Sequence, residues 1–408
     1  VRKTLKVLAE NFEPELELKE VATGTQAFDW KIPKEWNIRD GWIADSNGEK
    51  IVDFKTRNLH VVGYSTPVNK KLPLEELRKR IHTMEDQPTV TPYVTSYYND
   101  YWGFCMPHQQ LGELEEGEYH VYIDSELKDG HLTYAEWVLP GESDEEIFLS
   151  AYVCHPSMAN NELSGPLVAT WIAKWLASRP RRFTYRIVFI PETIGSIYYL
   201  SRNLDAMKKR VVAGFNLSCV GDDRAYSYVA SRYENTMADK VAKNVLASID
   251  SDFQAYSFLR RGSDERQYCS PGVDLPIVTL CRTKFGQFLE YHTSADDFDR
   301  VVTPDGLKGG YEMVRRCIEA VEANKTYEVT CLCEPQMGRR NLRSKISARG
   351  FQTSFLPMMD LIAYCDGSND LIDVSNLINR PVAELIPIVE VLLKEEILRE
   401  VSSGSVNS

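Results

Sequence analysis

The sequence predicts an α/β chain in which a parallel sheet is covered by helices on both faces, preceded by a β-rich unit and followed by a small helical one. Three observations lead there. From Glu145 onward short apolar runs alternate with long helical stretches. Between about 35 and 135, short apolar runs are separated by turn residues such as Asn47-Gly48 and Asp129-Gly130. After Glu334 a basic, Gly-containing linker, PQMGRRNLRSKISARG, leads to a last unit that begins near Phe355. At about 150 residues per domain, 408 residues make two or three domains.

In chain order, Leu5, Leu8 and Phe12 stand at helical spacing. WKIPKEWNIRDGWIADSNGEKIVDF reads as short strands, and a helix is expected near 74–84. TPYVTSYYNDYWGF, GEYHVYIDSEL and HLTYAEWVL read as further strands. Then the alternation begins. EIFLSAYVCH is a strand with a helix at 165–176, and YRIVFIPE a strand with a helix at 196–207. VVAGFNLSCVG is a strand with a helix at 236–248, and LPIVTL a strand with a long helix at 304–324. From Phe355 to Val401 the pattern is helix, short helix, helix, strand.

Composition excludes several classes. The chain is 43% hydrophobic and 26% charged, which rules out wholesale disorder. With 47 basic against 59 acidic residues the net charge is −12, so the bulk basic field of a nucleic-acid or anionic-membrane binder is missing. No apolar run approaches the roughly 20 residues of a membrane span. The 9 cysteines are scattered, with only Cys331 and Cys333 close together, a pattern of reduced thiols in a cytoplasmic protein.

In an open α/β sheet the ligand sits beyond the carboxyl ends of the strands. Those ends carry Cys154-His155, Pro191-Glu192, Ser218 to Asp223, and Glu290-Tyr291-His292. Two histidines and several carboxylates on one sheet edge are the donor set of a zinc site with an open position. Asp222 is a further candidate ligand. Glu192 ends a wholly apolar strand, where a bare carboxylate would be costly and a cation or hydrogen-bond partner is expected. The other five histidines, His60, His82, His108, His120 and His131, fall in the β-rich unit and read as structural. In RRGSDERQYCSPG, Arg260, Arg261 and Arg266 flank Asp264 and Glu265, which reads either as a solvated charge run or as a loop gripping an acidic substrate.

CHPSMANNELSGP, FIPETIGSIYYLSRN, NLSCVGDDRAYSYVASRY, RRGSDERQYCSPG and EYHTSADDFDRV occur in that order. Together they resemble the aminopeptidase-like proteins encoded beside polysaccharide-biosynthesis genes, whose core is similar to that of the zinc aminopeptidases. The resemblance covers essentially the whole chain. It implies a peptidase-like core of mixed or parallel sheet at 1–34 and 136–334, an inserted β-rich domain at 35–135 and a winged-helix-like domain at 350–408. It also implies a further stretch before Val1. His155 and His292 match the first and last histidine ligands, and Glu192 a carboxylate ligand. Where the two-zinc enzymes carry a bridging Asp this chain has Asn161, and where they carry a second-site Asp it has Ser218. Pro191 replaces the first Glu of their Glu-Glu pair.

These readings lead to a metal-dependent hydrolase that cleaves an amide or peptide bond of a small anionic or peptide-like substrate. One zinc would be held by His155, Glu192 and His292, with Asp222 nearby. Glu162, Glu265 and Asp264 are the candidate acid–base groups, and Arg260, Arg261, Arg266 and Tyr291 the candidate substrate contacts. An ester or an N-acyl group on a sugar fits the same chemistry. The rival reading is a catalytically degenerate metal-binding recognition or scaffold protein in polysaccharide biosynthesis. A third, DNA binding through the C-terminal unit, is opposed by charge: its last helix offers Glu384, Glu390, Glu395 and Glu396 against Arg380 and Lys394. No nucleic-acid or membrane partner is expected, and a homo-oligomer is compatible with the sequence.

Overall fold

The computed structural model describes residues 1–12, 16–97, 99–342 and 355–401. Eight strands form the main sheet. They are β1 (Glu17–Ala22), β2 (His131–Leu139), β3 (Ser143–Tyr152), β4 (Phe183–Ile190), β5 (Val211–Leu217), β6 (Ser227–Val229), β7 (Gln254–Tyr256) and β8 (Ile277–Cys281). Their spatial order is β1-β2-β4-β3-β5-β8-β6-β7. The centre, β4-β3-β5-β8, is parallel. The flanks are not: β1 pairs antiparallel with β2, β2 with β4, and β6 with β8. The sheet is therefore mixed. Only strands buried on both faces read as continuous apolar runs, and β1, largely exposed along its length, is an edge strand.

Five helices serve this sheet: α1 (Arg2–Ala9), α2 (Ser164–Ala177), α3 (Ile194–Arg210), α4 (Met237–Ile249) and α5 (Pro304–Ala323). Along β3, Ile147, Leu149 and Ala151 face a core shared with α2, α4 and α5, while Phe148 faces Tyr199 of α3 and Tyr268. That alternation is the period of two that covers both faces of a strand. The link from β3 through α2 to β4 runs to one side of β3, and the next link, through α3, places β5 on the other side. The strand order thus reverses at β3, and the loops after β3, β4 and β5 open onto one crevice. Gly165 lets α2 start close to that crevice, since a Cβ there would lie 2.6 Å from the Leu217 carbonyl oxygen.

Between β1 and β2 the chain builds a second, antiparallel sheet from Glu35–Ala44, Lys50–Asp53, Val68–Pro73 and Glu118–Lys128. It has its own core around Ile43, Val61, Phe104, Val121 and Ile123. The expected helix near 74–84 is a single turn, Leu74–Arg78. The run TPYVTSYYNDYWGF forms isolated bridges rather than a long strand. Pro92 pairs with Thr293 and Thr95 with Gly63, so much of that backbone is satisfied by docking onto other loops.

The C-terminal unit begins at strand Thr326–Val329, directly after α5, and pairs it with Asp366–Asp370 and Leu398–Glu400. Helices α6 (Leu356–Tyr364), α7 (Leu371–Leu377) and α8 (Val382–Lys394) complete it. Residues 343–350 of the basic linker lie outside the described residues. Among the described residues no helix is long and apolar enough to cross a membrane.

Candidate active site

The loops at the carboxyl edge are under backbone strain. Ser157, Thr193, Cys219 and His292 all take positive φ, at 58°, 66°, 52° and 56°. For a β-branched residue such as Thr193 this is a genuine outlier, and such positions cost on the order of 1–3 kcal/mol each. Asn161 also breaks helical geometry, at φ −87° and ψ 33°, inside the π-helical turn that leads into α2.

These loops bring His155, Glu192 and His292 together. His155 Nε2 lies 3.8 Å from Glu192 Oε2, and the two imidazole centroids are 5.2 Å apart. His292 Nε2 is buried and has no hydrogen-bond partner. Burial, helped by the charge on His155, pushes the His292 pKa down to about 3, so it presents a neutral imidazole with a lone pair. Burial opposes charge on His155 too, but Cys154, Glu162 and Glu192 outweigh it and hold its pKa well above the ordinary value. Burial raises Glu192, against the pull of His155 and Arg266. Aromatic rings wall the group in. Tyr93 from the β-rich unit stands edge-on to both imidazoles, Tyr291 stacks on His292 at 3.9 Å, and Tyr152 packs on His155. Tyr93 is placed by its N–H, which donates to the His292 carbonyl at 2.8 Å.

The other predicted carboxylates are occupied by the protein itself. Glu162 Oε2 accepts from the amides of Cys154 and His155, at 3.0 and 2.7 Å, so it orders the first histidine loop. Asp222 accepts from Asn160 Nδ2, the amides of Thr283 and Arg224, and the Thr283 hydroxyl. Glu265 accepts from the amides of Gly262 and Ser263 and from the Thr279 hydroxyl. All three fasten loops. Asp264 differs: its Oδ1 accepts from the Thr193 amide and the Ser196 hydroxyl, both at 2.8 Å, while Oδ2 is buried without a partner. Burial, then the charge on Glu192, raises its pKa to about 7. Arg266 reaches the same place, with Nη2 donating to the Thr193 hydroxyl at 2.6 Å. Arg260 and Arg261 are exposed. Of the five histidines read as structural, His60, His82, His108 and His120 each hold a hydrogen bond within the β-rich unit, and His131 is exposed.

Two site residues carried no signal in the sequence. Tyr93 lies some 60 residues from His155 in an aromatic run, and Tyr152 reads as part of an apolar strand. Tyr152 is nonetheless central: its hydroxyl donates to Asn161 Oδ1 at 2.5 Å and accepts from the Ser218 hydroxyl at 2.9 Å.

Among the described residues, the ligating atoms that all lie within 4.8 Å of one another belong to Cys154, His155 and Glu162. In that group Glu162 is already bonded to two amides. The wider set of two imidazoles and a carboxylate, His155, His292 and Glu192, matches zinc chemistry better and includes the unpartnered Nε2. The donor atoms of His155, His292 and Glu192 do not all lie within 4.8 Å of one another, so the set is of the right chemical type but is not drawn in to the spacing of a bound ion.

A mixed sheet with histidine-bearing loops at its carboxyl edge defines an aminopeptidase-like fold. The zinc aminopeptidase BSAP from Bacillus subtilis superposes with a TM-score of 0.55 at 13% identity, over 78% of this chain and 88% of that one. An M28 peptidase precursor from Shewanella amazonensis gives 0.52 at 11% identity, over 77% and 84%. Residues 1–324 match the family described as a domain of unknown function, DUF4910, and the chain belongs to that family; residues 325–400 match a winged helix-turn-helix. A Clostridium acetobutylicum protein named for polysaccharide biosynthesis and an aminopeptidase-like domain is 41% identical over 377 residues, 92% of this chain and 86% of that protein. The crystal structure of a candidate peptidase from C. acetobutylicum superposes at TM-score 0.91 and 39% identity, over 98% and 91%.

Proposed function

We propose that the protein is a metal-dependent hydrolase of amide or peptide bonds, with one zinc held by His155, Glu192 and His292. The observation that carries this reading is the approach of the two partly buried imidazoles, His155 and His292, with His155 beside Glu192 and His292 Nε2 left unpartnered. When bound, zinc supplies Lewis acidity towards a carbonyl oxygen and lowers the pKa of water. The chain's own residues do the rest. Glu162 orients the His155 loop through its two amide bonds. Tyr93 and Tyr291 keep water from the imidazoles. Asp264, whose Oδ1 is fixed and whose Oδ2 is free, holds and releases the proton. The name of the C. acetobutylicum relative points to a substrate from polysaccharide biosynthesis.

A single ion is favoured over a pair. Two divalent cations a few ångströms apart repel strongly, and a bridging carboxylate offsets that repulsion. Here Asn161 and Ser218 are neutral and tied together through the buried Tyr152 hydroxyl. The same neutrality, with Glu162, Asp222 and Glu265 all occupied, favours the second reading, a metal-binding recognition protein without catalysis. Elemental analysis of protein purified without a metal-affinity tag is expected to return one zinc per chain. A peptide library cleaved by that protein selects the hydrolase, and its complete inertness selects the recognition protein. No zinc, with no rise in Tm on adding it, overturns the metal in both.

A further inference from the structure

We propose that the cavity lined by Arg261 and Arg266, which Arg266 ties to the Glu192 loop through Thr193, binds an oxyanion carried by the substrate; the word substrate rests on the hydrolase reading above, the anion site does not. The cavity measures about 740 Å³ and is lined by Phe258, Leu259, Arg261 and Arg266, with Arg232 and Glu234. That is the size of a small-molecule site. The Arg232 charge is matched by Asp274 at 2.5 Å. Arg261 and Arg266 have no carboxylate within 4.0 Å among the described residues. Arg266 donates to the Ser263 carbonyl at 2.9 Å and to the Thr193 hydroxyl, and Arg261 to the Phe258 carbonyl at 3.3 Å. Most of the five N–H groups on each fork remain for a ligand.

Of the acids on the arginine loop, Glu265 is held by two amides and a hydroxyl and Asp264 by an amide and a hydroxyl, so Glu234 is the one carboxylate in the lining among the described residues. A further cation stands on the neighbouring loop, outside the lining. Lys284 is only 7% exposed, donates to the Phe285 carbonyl at 3.2 Å and lies over the rings of Phe285 and Tyr256. Its loop packs directly on the arginine loop, since a Cβ on Gly262 would meet the Phe285 ring at 2.4 Å. With Arg232 matched by Asp274, two unpaired guanidinium groups face the single carboxylate of Glu234 in this cavity, which leaves it net positive, and a planar fork suits a carboxylate or a phosphate. Leu259, 83% exposed, offers the adjoining part of that ligand an apolar wall. Arg266 touches Thr193, the residue after Glu192, which ties the cavity wall to the loop that carries the candidate ligand.

Calorimetric titration of the whole chain with succinate, and separately with inorganic phosphate, tests this at low ionic strength. One site per chain is expected, and Arg266→Gln and Arg261→Gln should each weaken it about tenfold while zinc content stays the same. Tighter succinate binding marks a carboxylate substrate, and tighter phosphate binding a phosphorylated one. Arg261 is exposed, so its variant keeps the test alive if Arg266→Gln fails to fold. Wild-type protein that binds neither ion, or variants that bind both as wild type does, overturns the proposal. A chain without zinc that still binds succinate keeps the anion site and loses the hydrolase.

Discussion

The carboxyl edge of the main sheet and the C-terminal winged helix are built in opposite ways. Four of the five buried side-chain polar atoms without a partner among the described residues belong to Asn161, Asn216, Asp264 and His292, at or beneath that edge. Four loops there hold a residue at positive φ. At the seam of the winged helix most polar groups are matched, the fifth unpartnered atom, Arg181 Nε, being the exception. Asn244 of α4 donates to Ser375 and Asn376 and accepts from the Val382 amide, Asn324 accepts from the Ile372 amide, and Lys240 pairs with Asp373 at 2.6 Å. Leu361, Ile372, Leu385 and Leu392 enter the same core as Val245 and Ile318. A cleft of about 540 Å³ also runs along that seam, between Trp175, Arg179 and Ile386, yet no group of metal-ligating atoms lines it. Unmet hydrogen bonds therefore concentrate at the carboxyl edge, whereas positive φ does not separate the two regions, since Asn379 and Glu396 of the winged helix take it too.

The comparison breaks first at the histidines. His292→Ala should lower zinc affinity by more than about a hundredfold, beyond the loss typical of residues that only support a ligand, and elemental analysis reads it directly. Zinc retained at the wild-type level would remove the edge from consideration. On the other side, Leu385→Ala empties a fully buried position on α8 and should cost about 2–5 kcal/mol in denaturant melts, with zinc content unchanged. A melt that matches wild type would mean that the winged helix is not seated on the core. Asn244→Ala sharpens the same point: it strands the Val382 amide and two side chains and should cost about 1–3 kcal/mol. The smallest effect expected is on nucleic acid. Random duplex DNA at about 50 mM salt should produce no anisotropy change, because α8 is acidic and packed against α5. Salt-sensitive binding would make the unit a reader rather than a scaffold.

Much of the core was legible from the chain because its signals are local. Continuous apolar runs such as IVFI and helical periodicity at 304–324 depend on neighbours in sequence, and they correspond to β4 and α5. Convergence of the strand ends follows from a general property of parallel sheets, so His155, Glu192 and His292 could be singled out together. The carboxylates could not be sorted that way. Glu162, Asp222, Asp264 and Glu265 are chemically alike in sequence, and what separates them is which amides and hydroxyls lie within 3 Å once the loops are folded.

What the sequence by itself determined is the alternation of elements, the acidic balance and the neutral pair Asn161 and Ser218, since each is a property of residue type or short-range pattern. Only the tertiary structure decided that the outer strands run antiparallel, that Tyr93 arrives from the β-rich unit to stand over both imidazoles, and that Tyr152 joins Asn161 to Ser218. Such contacts join residues from 9 to about 200 positions apart, and no local periodicity encodes them. They are settled by packing in a close-filled interior, where a hydroxyl or a ring fits in one place and leaves the next atom satisfied or bare.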